Sequence, residues 1–206
     1  MQPTVNVIAF DCDGVMFDSR EANRAYYDHL LEQFGLPVMT DAQLAFVHMH
    51  TVDDALNHLF GDPVTRQAAH DYRRQLGYLP FLKFMQMEPG LVPLLQALRP
   101  RFKTAVATNR TDTMARVLAD NQIDHLFDLV VCALDVTFPK PHPEALNKVV
   151  DHFSVSPGEV IYIGDSKVDE MAATAAGVPF VAYRNPDLTA RFHIHHLLEL
   201  KEIIAA

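Results

Sequence analysis

The stretch Val5-Asn6-Val7-Ile8-Ala9-Phe10-Asp11-Cys12-Asp13-Gly14 sets the fold of this chain. An apolar, β-branched run stops abruptly at two acids and a glycine, which predicts a buried strand feeding a polar loop. Carboxylates at the end of so apolar a strand are costly unless they are paired or hold a metal, so the same residues predict a site. Similar runs follow at 104–107, 129–133, 160–163 and, after Gly177, at 178–182. Helical spacing fills the gaps at 112–120, 143–152 and 167–176, and Gly177 followed by Pro179 stops the last of these. Strands alternating with helices predict an α/β fold, a parallel sheet covered on both faces.

Residues 18–85 follow a different rule. They contain no convincing buried strand and divide into helical stretches at 20–34, 41–46, 52–60, 63–76 and 78–84. The expected organisation is a core domain of residues 1–17 and 86–206 with an all-helical domain, 18–85, inserted after the first strand. Glu88-Pro89-Gly90 then opens a helix at 91–98 that returns the chain to the core. The chain has no internal repeat and no low-complexity linker.

At 206 residues, with 49% apolar and 21% charged residues, the chain has enough material for a sizeable core. A net charge of −9 argues against nucleic acid as partner, because a phosphate backbone rewards clustered Lys and Arg. It does not exclude a small phosphorylated metabolite, since one lysine and a metal reverse the sign locally. No apolar run reaches the ~18 residues of a membrane span, and Met1-Gln2-Pro3-Thr4 does not read as a signal peptide. Cys12 and Cys132 show no metal or redox spacing and suit a reducing compartment. The expected location is the cytoplasm, and the expected state a monomer or homodimer. The 11 histidines are scattered without metal-binding spacing.

In an open parallel sheet, ligands bind at the carboxyl ends of the strands. Those ends deliver Asp11 and Asp13, then Thr108 and Asn109, then Lys140, then Asp165 with Asp169 one helical turn on. A carboxylate attacking a phosphate dianion must overcome like-charge repulsion, which a metal and a lysine neutralise. Magnesium prefers oxygen ligands, here Asp11, the main-chain carbonyl of Asp13, and Asp165. Gly14 leaves room for phosphate oxygens to approach backbone N–H groups. Asp13 is placed to protonate the leaving oxygen and then activate water, while Asp11 takes the phosphoryl group and divides the reaction into two easier steps. Thr108 and Lys140 are the expected donors to the transferring group. Cys12, alternating with the two acids, points away from the metal and packs.

Four motifs in order, Asp11-Cys12-Asp13-Gly14-Val15, Thr108-Asn109, Lys140-Pro141 and Gly164-Asp165 with Asp169, resemble those of the haloacid dehalogenase superfamily. The resemblance is to its phosphoglycolate phosphatase and β-phosphoglucomutase-like branch, which carries a helical cap after the first strand. It implies a Rossmann-like three-layer core, a mobile cap over small substrates, and the roles just argued. It further implies that Asp169 holds a metal-bound water or orients Lys140, and that Asn109 supports the phosphate or the nucleophile loop. His48 and His50 precede the helix at 52–60, where this branch places a specificity loop; reaching the leaving group and a plain surface role are equally open. Arg20 and Arg110 flank the active-site loops, as surface ion pairs or as binders of an anionic substrate tail.

The expected activity is magnesium-dependent hydrolysis of a small phosphomonoester, of phosphoglycolate or sugar-phosphate type. A phosphomutase of the same branch would need a basic residue in the cap loop, where Val52 aligns. A phospho-aspartate signalling receiver would carry its Asp on a middle strand without so large an insertion. Dehalogenases have no use for an acid at the position of Asp13, and phosphonate hydrolases carry a small residue there.

Overall fold

The computed structural model describes residues 5–49 and 51–205. The chain divides into two compact units, Met1–Phe17 with Met87–Ala206, and Asp18–Gln86. In chain order the regular elements are β1 (Val7–Phe10), α1 (Arg20–Gln33), α2 (Asp41–Met49), α3 (Val52–Leu59), α4 (Pro63–Leu76), α5 (Leu91–Leu98) and β2 (Lys103–Ala107). They continue with α6 (Met114–Asp120), β3 (Leu129–Val131), α7 (Glu144–Phe153), β4 (Val160–Gly164), α8 (Lys167–Ala176), β5 (Phe180–Tyr183), β6 (Phe192–Ile194) and α9 (Leu200–Ala205). Short paired strands, Phe17–Asp18 and Gln86–Met87, mark where the chain leaves and re-enters the first unit.

The first unit is a six-stranded sheet in the order β3-β2-β1-β4-β5-β6, and every pairing in it is parallel. This is a Rossmann-like order, with its topological switch between β1 and β4. Strand alternation sends Val7, Ala9, Ala105, Ala107, Val160, Tyr162, Phe180 and Ala182 to one face, where Ala145, Leu146 and Val149 of α7 and Ala172 and Ala173 of α8 complete a core. The small residues on β1 and β2 let the helices approach the sheet closely. β6 was not expected from the sequence. Its Phe-His-Ile pattern is half-polar because it is an edge strand, paired among the described residues only with β5.

Two boundaries moved for local reasons. β3 ends at Val131 because the Asp135 carboxylate accepts the Cys132 N–H at 2.8 Å and starts a 3₁₀ turn, Ala133–Asp135. α6 begins at Met114 with Thr113 as N-cap, leaving residues 109–113 as a loop that carries site residues.

The helical unit is held by its own apolar cluster. α1 buries Ala22, Tyr26, Tyr27, Leu30 and Leu31, a stripe at helical spacing. Leu44, Val47, Ala55, Leu56, Leu59, Phe60 and Phe81 pack against it. Thr51 caps α3 by accepting the Asp54 N–H, and Asp62 caps α4 by accepting the Thr65 N–H with Pro63 in the first turn. Residues 79–84 are a 3₁₀ helix rather than an α-helix. Among the described residues, no helix is long and apolar enough to cross a membrane.

One ion cluster ties β2 to the turn before β3. Asp128 accepts from the Thr104 N–H at 2.9 Å and from Arg99 Nη2 at 2.9 Å, with Lys103 Nζ at 3.3 Å. Burial opposes ionisation of Asp128, but the Thr104 N–H and the Lys103 and Arg99 charges prevail and hold its carboxyl below 3.8. A depressed native value means the contribution is complete above the unfolded value and is lost as pH falls through the native one. Asp128→Asn is therefore expected to cost about 1.5–3 kcal/mol near neutral pH. The gap in melting temperature from wild type should close as the pH is taken below about 4; a gap independent of pH would refute the ionic origin.

Candidate active site

The ends of β1 and β2 carry side chains that the sheet holds in place. The Asp11 N–H donates to the Ile163 carbonyl at 2.9 Å, and the Thr108 N–H to that of Val131 at 3.0 Å. Both ladders thus run one residue past the strand and fix these residues on rigid backbone.

At the switch between β1 and β4, ligand atoms of Asp11, Asp165 and Asp169 lie within 4.8 Å of one another. Lys140 enters from the loop before α7, its side chain 2% exposed. Its Nζ donates to Asp11 Oδ1 at 2.6 Å, Asp169 Oδ1 at 2.6 Å and the Tyr162 hydroxyl at 2.8 Å. An ammonium has three donors, so all are committed to protein oxygens. The sequence places Lys140 on the phosphate; in this arrangement its ammonium is engaged by Asp11, Asp169 and Tyr162.

Asp169 is fully buried, and its Oδ2 accepts from the Ser166 N–H at 3.1 Å and from the Ser166 hydroxyl. With Oδ1 on Lys140 and Tyr162, Asp169 is engaged on both oxygens. Its proximity to Asp11 and Asp165 suits a ligand, but its hydrogen bonds suit an anchor for Lys140. Displacing that many buried bonds is expensive, so the anchor role stands above direct ligation.

Two glycines exist for the acids beside them. A Cβ on Gly14, whose φ is +81°, would lie 2.0 Å from Asp165 Oδ2, and one on Gly164 would lie 2.4 Å from the Asp169 Cβ. The Gly14 N–H donates to the Phe17 carbonyl at 2.8 Å, so the room this glycine leaves does not come with a free N–H of its own. Gly14→Ala is expected to lower stability by at least about 1–2 kcal/mol from the left-handed backbone alone, read as a denaturant midpoint. An unchanged midpoint would show that the loop relaxes freely.

The charge balance of the cluster is uneven. Burial, with Asp169 and Asp13 nearby, raises Asp11 to about 7 despite Lys140. Burial, with Asp11 and Asp169, raises Asp165 to about 8. Burial opposes the ionised form of Asp169 too, but Lys140, Ser166 and Tyr162 outweigh it and hold its carboxyl low. Lys140 is pushed up by Asp11 and Asp169 against its own burial. The pocket is short of positive charge, and its donors are hard anionic oxygens. A divalent cation such as magnesium fits both features.

Asp13 meets Arg110 in a bidentate pair, Nε to Oδ2 at 3.1 Å and Nη2 to Oδ1 at 2.5 Å. The Arg110 side chain is 7% exposed and also donates to Thr113 Oγ1 at 3.0 Å, while that of Asp13 is 35% exposed, so the pair is half-buried. Thr108 is buried, and its hydroxyl oxygen accepts the Arg110 N–H at 3.2 Å, leaving the O–H to donate. The Asn109 carboxamide does not face a ligand: Nδ2 donates to the Lys140 carbonyl and Oδ1 accepts the Lys140 N–H, each at 2.9 Å. Cys12 is fully buried, as packing predicts. Arg20 and His48 belong to the helical unit, where Arg20 is exposed and His48 Nδ1 lies 3.0 Å from Asn23 Nδ2. His50 falls outside the described residues. Tyr162 is the site residue that sequence reasoning missed. The one available signal was a hydroxyl-bearing residue in an otherwise aliphatic central strand.

Comparison with known proteins agrees with this geometry. The family model for haloacid dehalogenase-like hydrolases matches residues 8–183. A crystal structure of a HAD-superfamily hydrolase, subfamily IA, variant 1, from Geobacter sulfurreducens superposes with a TM-score of 0.87 at 38% identity, covering 97% of this chain and 96% of that one. The phosphoglycolate phosphatase of Pectobacterium atrosepticum is 29% identical over 95% of this chain and 85% of its own. That of Photorhabdus laumondii is 29% identical over 86% and 79%. The family match runs from β1 to the last residue of β5 and so takes in every strand end that carries a site residue; this chain belongs to the haloacid dehalogenase-like hydrolases.

Proposed function

We propose that the protein is a magnesium-dependent phosphatase that cleaves a small phosphomonoester of phosphoglycolate or sugar-phosphate type through an aspartyl-phosphate on Asp11, with the helical unit in the role of a substrate-selecting cap. The observation that carries this reading is the Lys140 ammonium 2.6 Å from Asp11 Oδ1, with Asp165 in the same acidic cluster. Asp11, Asp165 and the Asp13 carbonyl would hold the cation, which when bound would offset the negative charge of the phosphoryl group and the acids. With Oδ1 held by Lys140, Asp11 Oδ2 attacks phosphorus. The ester P–O bond breaks, and the leaving oxygen takes a proton from Asp13. Asp13, now a carboxylate, accepts a proton from water as that water attacks the acyl phosphate. Inorganic phosphate leaves and Asp11 is regenerated. The Thr108 hydroxyl donates to a phosphoryl oxygen throughout, a contribution of roughly 10²–10³-fold by analogy with oxyanion holes.

Arg110 bears on substrate class. Both oxygens of Asp13 are paired with its guanidinium, so Arg110 stands where it would meet a leaving group that Asp13 protonates. A substrate carrying its own carboxylate competes for the same fork, which favours an ester of phosphoglycolate type over one with a neutral leaving group.

The test is phosphate release from a panel of carboxylated, sugar and neutral phosphomonoesters, with magnesium and then with EDTA. Expected is release that EDTA abolishes, fastest on a carboxylated ester, together with a melting temperature that rises on adding magnesium. Release unaffected by EDTA would sink the metal reading, and no release from any ester would sink the phosphatase.

A further inference from the structure

Lys140 is held at both ends, by Asn109 at its backbone and by Tyr162 at its ammonium. At the backbone end, the Asn109 carboxamide satisfies both the N–H and the C=O of Lys140, at 2.9 Å each, across 31 positions of sequence. That is the double contact of a strand pair, made here by one side chain in a loop. It matters because buried and half-buried backbone groups must find partners, and because Asn109 directly follows Thr108, which is pinned to β3. The loop bearing Lys140 is thereby registered to the end of β2.

At the side-chain end, the Tyr162 hydroxyl stands 2.8 Å from Nζ, 2.8 Å from Asp169 Oδ1 and 2.9 Å from the Ala107 carbonyl. Tyr162 is rooted in the middle of β4 and fully buried, so its hydroxyl is a fixed point. It takes the third N–H of the ammonium and thereby dictates where the other two point, at Asp11 and Asp169.

We propose that Asn109 and Tyr162 are positioning residues that act on Asp11 through Lys140: one sets where the lysine stem begins, the other sets the rotation of its ammonium. This rests on the phosphatase reading for its effect on turnover, though not for the geometry it describes. A misplacement on the order of 1 Å at such a group costs roughly 10²-fold in rate. Neither residue binds substrate, so the loss should fall on kcat and leave KM nearly unchanged.

The experiment compares Asn109→Ala and Tyr162→Phe, alone and combined with Lys140→Gln, after circular dichroism has shown each to be folded. Expected is a kcat loss of roughly 10–100-fold for each single variant with KM within about twofold, and no further loss in the Lys140→Gln background. In parallel, ¹⁵N-lysine-labelled protein should show a slowly exchanging Nζ signal for the buried Lys140 ammonium that shifts or exchanges faster in both single variants. A loss that persists in the Lys140→Gln background, or a loss in KM alone, overturns the proposal. An ammonium signal unchanged in both variants overturns it whatever the activities, and decides the matter if Lys140→Gln does not fold. Should the wild type hydrolyse no ester, the phosphatase reading falls while the ammonium signal still tests the brace.

Discussion

Asp11→Asn is expected to leave a folded protein whose phosphate release is lower by roughly 10⁵-fold, the scale seen when a nucleophile is removed from a site that works as a unit. The amide is nearly isosteric with the carboxylate but has no charge to attack with. Stability should hold or rise, because burial beside Asp169 and Asp13 already pushes the Asp11 carboxyl up to about 7, and asparagine removes a charge that the native fold disfavours. Lys140 keeps Asp169 as its counter-ion at 2.6 Å. Higher stability with lost turnover is the pattern of a residue retained for chemistry. Phosphate release within about tenfold of wild type would remove Asp11 from the role of nucleophile.

Lys140→Met is expected to fail in the opposite way. Methionine fills much of the same volume but leaves Asp11 and Asp169 buried without the cation that both contact. Removing one partner of a buried ionic group costs about 3–5 kcal/mol, more than such a group contributes against a well-packed apolar replacement. The loss should appear as a lower urea midpoint measured in EDTA, accompanied by loss of turnover. A destabilisation below about 1 kcal/mol would mean that the carboxylates are relieved by protonation or water, and that Lys140 does not hold the cluster together. Read together, the two variants separate the residue that reacts from the residue that makes its charge tolerable.

Much of this was legible in the chain. The run ending at Asp11 and Asp13, the alternation of strands and helices, and the helical character of residues 18–85 are all local signals. Each depends on hydrophobic period and on turn residues a few positions apart. Asp11, Asp13 and Asp165 stand where apolar strands stop, and parallel-sheet geometry sends those ends to one edge, whereas Lys140 comes from the loop before α7 and Asp169 from α8. β6 escaped because an edge strand buries one side and reads as polar.

What each polar group does to its neighbours was decided only by the tertiary structure. On a doubly covered strand, every residue is expected to be buried, so the hydroxyl of Tyr162 stands out in Val160–Gly164 without showing that it meets Lys140. Asn109 reads as a loop residue until the fold brings it to a backbone 31 positions away. Arg110 reads as a surface charge until the end of β2 buries it against Asp13, 97 positions distant. The sequence by itself determined the elements, their order and the residue types at the strand ends, because these follow from short-range periodicity and sterics. Which donor faces which acceptor depends on packing between residues far apart in the chain. Only the assembled sheet, with α7 and α8 seated on it, brings those groups within 3 Å of one another.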